Sequence, residues 1–241
     1  MPSHYRRYAA TALIYAAGFA YILLRWDTIP DPVPVHVGPT GEADGFAAKT
    51  LLSTTVLMVV GIIISAALPL CLPPRALARR TVDVPNEDTL PFSETAARRV
   101  EKLCHATADV MSKIILALAA LFAVTNISLV VPDAALPFWL ELAMWIGFIV
   151  YTVVVALRVT SAQDGLEPDA DEQARNVQLR YQGGMGTYSA PHDPMVAAVL
   201  PSNPGKIAVN TAHAPGKHYL RRMALGVVVI VVACVAVAIA V

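Results

Sequence analysis

The sequence predicts an all-α membrane protein, a bundle of about five transmembrane helices with a small β-containing cytoplasmic unit. Three observations predict it. Of 241 residues, 56% are hydrophobic and only 15% charged, where an ordinary soluble domain carries about 25% charged residues. The deficit is concentrated, since long uncharged apolar runs alternate with segments that hold nearly all the charge. Finally, sixteen of the eighteen Lys and Arg residues lie before the first run, between the second and third, or between the fourth and fifth. Positive-inside bias then places the N-terminus in the cytoplasm and the C-terminus outside.

Each span answers to the roughly 20 apolar residues that a helix needs to cross the hydrocarbon core. Span one, Tyr8 to Leu24, follows Arg6 and Arg7. Leu23-Leu24-Arg25-Trp26 offers no small-x-small cleavage site, so an anchor is expected and not a cleaved signal. Its Ala12, Ala16 and Ala20 form a ridge of small residues expected to contact a neighbouring helix. The loop Arg25 to Thr50 is rich in Pro and Gly and is expected to be ordered but irregular, on the extracytoplasmic side. Span two, Leu51 to Leu72, carries Gly61 and Ser65 at the same four-residue spacing.

The second loop opens with Pro73-Pro74 and a basic cluster. From Ser93, Ala96, Val100, Leu103, Thr107 and Val110 recur at steps of three and four, a helical stripe. Ser93 is the expected N-cap, with Glu94 in the first turn. This helix is expected to run into span three, Ile114 to Val131, where Ala117, Ala120 and Ala123 are small and Asn126 is strongly polar. Asn126 is expected to bond a neighbouring helix. The link Pro132 to Leu136 is short, so spans three and four (Pro137 to Leu157) form a tight antiparallel hairpin. The fourth loop begins with an acidic, flexible stretch, Ser161 to Glu172. Gly183-Gly184 and Pro191-His192-Asp193-Pro194 then punctuate two short strands, Met195 to Leu200 and Lys206 to Val209. Span five runs from Met223 to Val241. The organisation read from the sequence is a two-span domain over 1–72, a cytoplasmic helix and helical hairpin over 73–157, a small cytoplasmic domain over 158–222, and a last span over 223–241.

The densest group of polar side chains lies in the first loop: His36, Glu42, Asp44 and Lys49, framed by Pro30, Pro34, Gly41 and Gly45. Proline fixes φ and glycine permits left-handed backbone, so such a frame holds side chains in place. Three readings are open. The polar groups tie the loop to itself, with Asp44 orienting His36 or pairing with Lys49. Alternatively they recognise a ligand, or His36, Glu42 and Asp44 converge on a metal, although their spacing matches no strong metal motif. In the fourth loop, His192 and Asp193 are adjacent and are expected to form a turn with an Asx-type bond, not an acid–base pair. Cys71, Cys104 and Cys234 lack metal or redox spacing, and the two in apolar runs, Cys71 and Cys234, are read as packing residues.

After its first span the chain carries Pro30, Pro34, His36, Gly41, Asp44, Gly45 and Lys49. This stretch of about 45 residues resembles the N-terminal domain of the Sdp-type bacterial immunity membrane proteins, known as domain of unknown function 1648. Val37 and Phe46 stand where that family usually has an aromatic and a Trp or Tyr. A second stretch, Tyr188-Ser189-Ala190-Pro191-His192-Asp193-Pro194 with Val199 and Ile207-Ala208-Val209-Asn210, looks like a companion, domain of unknown function 5808. There Ala190 replaces the usual Asn. The first resemblance implies a bacterial cytoplasmic-membrane protein, and in the best-known relatives toxin immunity and signalling through a membrane-tethered regulator.

Catalysis finds no support in the residues. There is no Ser/His/Asp order, nucleophile elbow or His-Glu-x-x-His, and Gly183-Gly184-Met185-Gly186 lacks the Lys-Ser/Thr of a phosphate loop. No enzyme activity, cofactor or nucleic-acid partner is expected. Ionisable residues within the spans would mark a transport path, and they are essentially missing. The expected role is a receptor, signalling or immunity-like module. Its partners would be the lipid bilayer, an extracytoplasmic peptide or protein, and a cytoplasmic regulator. A small transport subunit and a metal-dependent membrane enzyme are the alternatives.

Overall fold

The computed structural model describes residues 3–84, 88–160, 165–180, 182 and 186–241. Gly183-Gly184 and the start of the acidic stretch, residues 161–164, lie outside the described residues. Five helices among them are long and apolar enough to cross a membrane. They are α1 (Ser3–Leu24), α3 (Val56–Ala67, continued as 3-10 turns), α4 (Glu94–Val130), α5 (Phe138–Thr160) and α7 (Ala214–Ala240). Two compact units share them. One is Met1–Pro69, Met111–Val153 and Gly226–Val241, and the other is Leu70–Val110 and Val154–Leu225.

In the first unit, Tyr15 and Ile22 of α1, Met58 of α3, and Ala119 and Ala123 of α4 build one core with Ile29, Val33, Val130 and Val131. Glycine sets the closest approaches. A Cβ on Gly61 would lie 2.4 Å from both Phe122 and the Tyr15 hydroxyl, and one on Gly18 would lie 2.6 Å from Met58 Sδ. Ser65, one turn beyond Gly61, hydrogen-bonds Tyr15 Oη at 3.3 Å. The expectation for Gly61 and Ser65 therefore holds, but the alanine ridge of α1 does not form a contact. Ala12, Ala16 and Ala20 are exposed, and the buried stripe is Thr11, Tyr15, Gly18 and Ile22. Small size alone does not say which side of a helix has a neighbour. Likewise Ala123 is buried whereas Ala120 is exposed.

The second span is broken near its start. A short helix, α2 (Leu51–Thr54), is capped by Thr50 and Ser53 reciprocally. At Thr55 the backbone leaves helical geometry, with φ −127° and ψ 16°. Thr54 and Thr55 hydroxyls donate back to the carbonyls of Thr50 and Leu51, a competition with the ladder that favours such breaks. Asn126 of α4, fully buried, repairs the gap. Its Nδ2 donates to Thr54 C=O at 2.8 Å and its Oδ1 accepts from Leu57 N–H at 3.0 Å. Broken helices persist in lipid only when the freed backbone groups find partners.

The expected irregular first loop is instead partly β. β1 (Val33–Val37) and β2 (Ala43–Ala47) form an antiparallel hairpin. Val33-Pro34-Val35-His36-Val37 alternates as a strand should, but Pro34 argues against one. In a two-stranded ribbon every strand has a free edge, so the missing N–H of Pro34 is tolerated. Sheet structure is therefore not confined to the fourth loop.

In the second unit, α4 begins as expected, with Ser93 Oγ accepting from Ala96 N–H at 2.9 Å. Ala96, Val100, Leu103 and Val110 are buried. A helix missing from the sequence reading, α6 (Ala170–Gln178), starts inside the stretch expected to be flexible. Asp169 caps it, accepting from Glu172 N–H at 2.7 Å. The same carboxylate accepts from Ser93 Oγ–H and Thr95 N–H, so two helix starts share one anion. Burial opposes ionisation of Asp169, but the N–H groups of Glu172 and Thr95 and the hydroxyls of Ser93 and Thr95 outweigh it. They hold its carboxyl below the usual range. Strands β3 (Thr187–Tyr188), β5 (Ile207–Asn210) and β4 (Ala197–Val199) make a sheet in that spatial order, β3 parallel and β4 antiparallel to β5. Gly216 lets α7 start against β5, because a Cβ there would fall 2.1 Å from Asn210 O.

Candidate functional site

The hairpin positions His36 and Asp44 across from one another. His36 pairs with Gly45 in register, and a Cβ on Gly45 would lie 2.8 Å from that of His36, so glycine makes room for the imidazole. Gly38 N–H donates to Glu42 C=O at 2.8 Å and Gly41 N–H to Gly38 C=O at 3.0 Å. Gly41 sits at φ +86°, a conformation that glycine adopts without strain. There is no room for more than hydrogen at its Cα, since a Cβ would come within 2.7 Å of Phe138. The turn therefore rests on the start of α5.

His36 Nδ1–H donates to Asp44 Oδ1 at 2.5 Å. A carboxylate only accepts, so the proton sits on Nδ1 and Nε2 is left for another partner. The two side chains are 70% and 53% exposed, which leaves that partner free to come from outside the chain. Lys49 does not join them. Its Nζ donates to Ile29 C=O at 2.8 Å and lies 5.1 Å from the centre of the Trp26 ring, and its N–H donates to Asp31 Oδ1. The side chain of Glu42 is exposed, and this residue serves the hairpin through its carbonyl. Pro34 faces Phe46 in the ribbon, and Pro30 is exposed ahead of it. Among the described residues no three His, Cys, Asp or Glu side chains come together as a metal would require. His36 and Asp44 are thus one pair, and the four polar residues are not one constellation.

Beside the pair lies a cavity of about 300 Å³. Val35, Val37, Leu57, Leu129, Leu142 and Trp145 give it apolar walls, and His36 and Glu141 supply polar atoms. Thr125 also lines it, and its Oγ1 is shielded from solvent without a hydrogen-bond partner. Glu141 is held by Ser128, whose Oγ donates to its carboxylate and accepts from Leu136 N–H at 2.8 Å. The Trp145 ring packs at 5.8 Å from Phe122. The sequence reading gave these α5 residues no part in a site, because hydropathy marks a span without saying which of its faces meets a neighbour. A signal was present: Phe138, Glu141, Leu142 and Trp145 follow the i, i+3, i+4, i+7 pattern of one helix face.

The adjacent pair of the fourth loop divides. Asp193 is fully buried and forms a two-pronged bridge with Arg175 at 2.7 and 2.8 Å. It also accepts from Tyr188 Oη–H and Met195 N–H, the latter being the Asx-type bond expected. Burial first, and then the Asp193 charge, pushes the Tyr188 hydroxyl well above its ordinary pKa. Asn210 ties the same region by accepting from Ala190 N–H and donating to Ala190 C=O. His192 is outside this network and lines a separate polar cavity. Arg175 and Asp193, the charges of this network, are matched to one another.

Residues 13–68 match the family described as Domain of unknown function (DUF1648). The match runs from within α1, through the hairpin, to the end of α3. It covers the Pro, Gly, His and Asp positions that frame the His36–Asp44 pair, and it supports the resemblance to domain of unknown function 1648. No curated protein and no solved structure matches the chain. The DUF1648 stretch supplies the hairpin, Val35 to Gly38 and Leu57 of the cavity, while α4 and α5 supply the rest.

Proposed function

We propose that this chain is a multi-pass receptor or immunity-like module of the bacterial cytoplasmic membrane, recognising an extracytoplasmic peptide or protein through the β1–β2 hairpin. The observation that carries the reading is the exposed His36–Asp44 pair on the rim of an apolar cavity. Asp44 fixes the imidazole, Nε2 meets a polar group of the partner, and the cavity takes an apolar side chain. Glu141 inside the cavity favours a cationic or donor group beside that side chain. Charge asymmetry supports a hairpin outside the cell and an N-terminus within. A cytoplasmic regulator would be the second partner, as the resemblance implies.

A photo-crosslinking residue at Phe46, which is 57% exposed, tests this in the native membrane. A discrete product is expected, lost in His36→Ala and Trp145→Ala and retained in Leu13→Ala, which is remote from the hairpin in sequence and exposed. His36→Ala should keep the detergent melting temperature of the parent. If it melts as low as Asp44→Ala, the pair only holds the hairpin together and the reading fails. Loss of the product on adding a chelator to the unmutated protein would point to a metal instead.

A further inference from the structure

Some cations of the second unit are held by carboxylates and others are not. Arg79 pairs with Glu94 and Glu101, Arg98 with Glu94, Arg99 with Glu172, and Arg175 with Asp193. Lys206, Lys217 and Arg221, like Arg80 and Lys102, are exposed, and none makes an ion pair with a described carboxylate. One of the three, Lys206, is a wall residue of a cavity, and the other two flank a second wall residue in sequence. Lys206 lines a cavity of about 360 Å³, with Leu103, Ile207, Val209, Leu220 and Met223 among its walls. Lys217 and Arg221 lie one turn apart on α7, on either side of Leu220 in sequence. A fourth cation, Arg222, donates to Leu72 C=O at 2.7 Å and lies 5.6 Å from the ring of Tyr219, another wall residue. From Met223 to Ala240, α7 carries no charge at all. The cavity therefore opens where the helix turns from cationic to purely apolar.

Unpaired cations above an apolar cavity, at the start of a membrane-spanning segment, complement one kind of molecule: a negative phosphate joined to a hydrocarbon chain. We propose that this cavity binds an anionic phospholipid, with Lys206, Lys217 and Arg221 around the phosphate and the upper part of one acyl chain against Leu220 and Ile207. The site is separate from the hairpin and does not depend on the function proposed for it. Each cation near an anionic membrane surface strengthens attachment about fivefold.

The purified full chain, in neutral detergent with equimolar phosphatidylglycerol and phosphatidylcholine of the same acyl chains, is examined by native mass spectrometry. Preferential retention of one phosphatidylglycerol is expected. Lys206→Gln should reduce that preference about fivefold, and adding Lys217→Gln and Arg221→Gln should reduce it to near parity. Arg98→Gln, whose cation is already paired, should leave it unchanged. Leu220→Trp fills the cavity and should expel the lipid with the charges intact. Melting temperature is followed for every variant, and the exposed Lys206→Gln serves alone if a multiple variant fails to fold. Equal retention of the two lipids, or a preference that survives the triple substitution, overturns the proposal. So does displacement of the lipid by millimolar inorganic phosphate, which would make this a plain anion site.

Discussion

Asn126 shows how much a single polar side chain can decide in an apolar setting. Its amide closes both open ends of the α2–α3 break, satisfying Thr54 C=O and Leu57 N–H together. Asn126→Leu would fill the space but leave two buried backbone groups unpaired, and each such group costs about 1–3 kcal/mol. The expected result is a clearly lower melting temperature in detergent and faster amide exchange at Leu57 than in the parent. Unchanged exchange at Leu57 would mean that α2 and α3 rejoin without the amide. That Asn126 bonds a neighbouring helix was legible in the sequence, since an amide in a long apolar run has few other options. Its target was not legible, because threonines that bond back to the preceding turn, as Thr54 and Thr55 do, also sit in unbroken helices. His36 and Asp44 were likewise readable as a rigid pair from their Pro and Gly frame. Lys49 was misread, because its pull toward Ile29 C=O and the Trp26 ring depends on how the hairpin folds back.

At the scale of elements, the contrast between Gly61 and Ala16 separates true from apparent packing faces. Gly61 admits Phe122 and Tyr15 to within 2.4 Å of where its Cβ would be. Gly61→Val should cost about 1–3 kcal/mol through overpacking, read as a lower melting temperature of the detergent-solubilised protein. Ala16→Leu, on an exposed position of α1, should melt with the parent. The reverse order of stabilities would restore the alanine ridge as the packing face. The five spans themselves were legible because hydropathy and charge are local properties of the chain. The α4 start was too, since Ser93 and the stripe behind it lie within a few turns. α6 was not, although Asp169 stands three residues before Glu172 as a cap should. That helix has nine residues and little apolar surface, and partners about 75 residues earlier, Ser93, Thr95 and Arg99, hold it in place.

For the whole molecule, the distribution of Lys and Arg predicts the membrane orientation. With Cys71, Cys104 and Cys234 replaced, Glu42→Cys should react with an impermeant maleimide in intact cells. Glu167→Cys should react only after permeabilisation. Labelling in the opposite sense would reverse the topology and move the hairpin into the cytoplasm. The composition of the cavity beside His36 belongs to this scale as well: the sequence carried the shared face of its α5 wall, but hydropathy identifies spans without saying which are neighbours. The second unit carries a consequence for synthesis on the ribosome. Its two segments, Leu70–Val110 and Val154–Leu225, are interrupted by a helical hairpin. Arg175 reaches back 84 residues to Pro91 C=O, and Asp169 reaches 76 back to Ser93. The earlier segment thus emerges with Leu77, Ala97 and Val100 uncovered, and it waits while the hairpin is made. At about 5–20 residues per second, that wait lasts for seconds. The nascent chain passes through an interval in which half of a fold is present and exposed to chaperones and proteases before its other half exists.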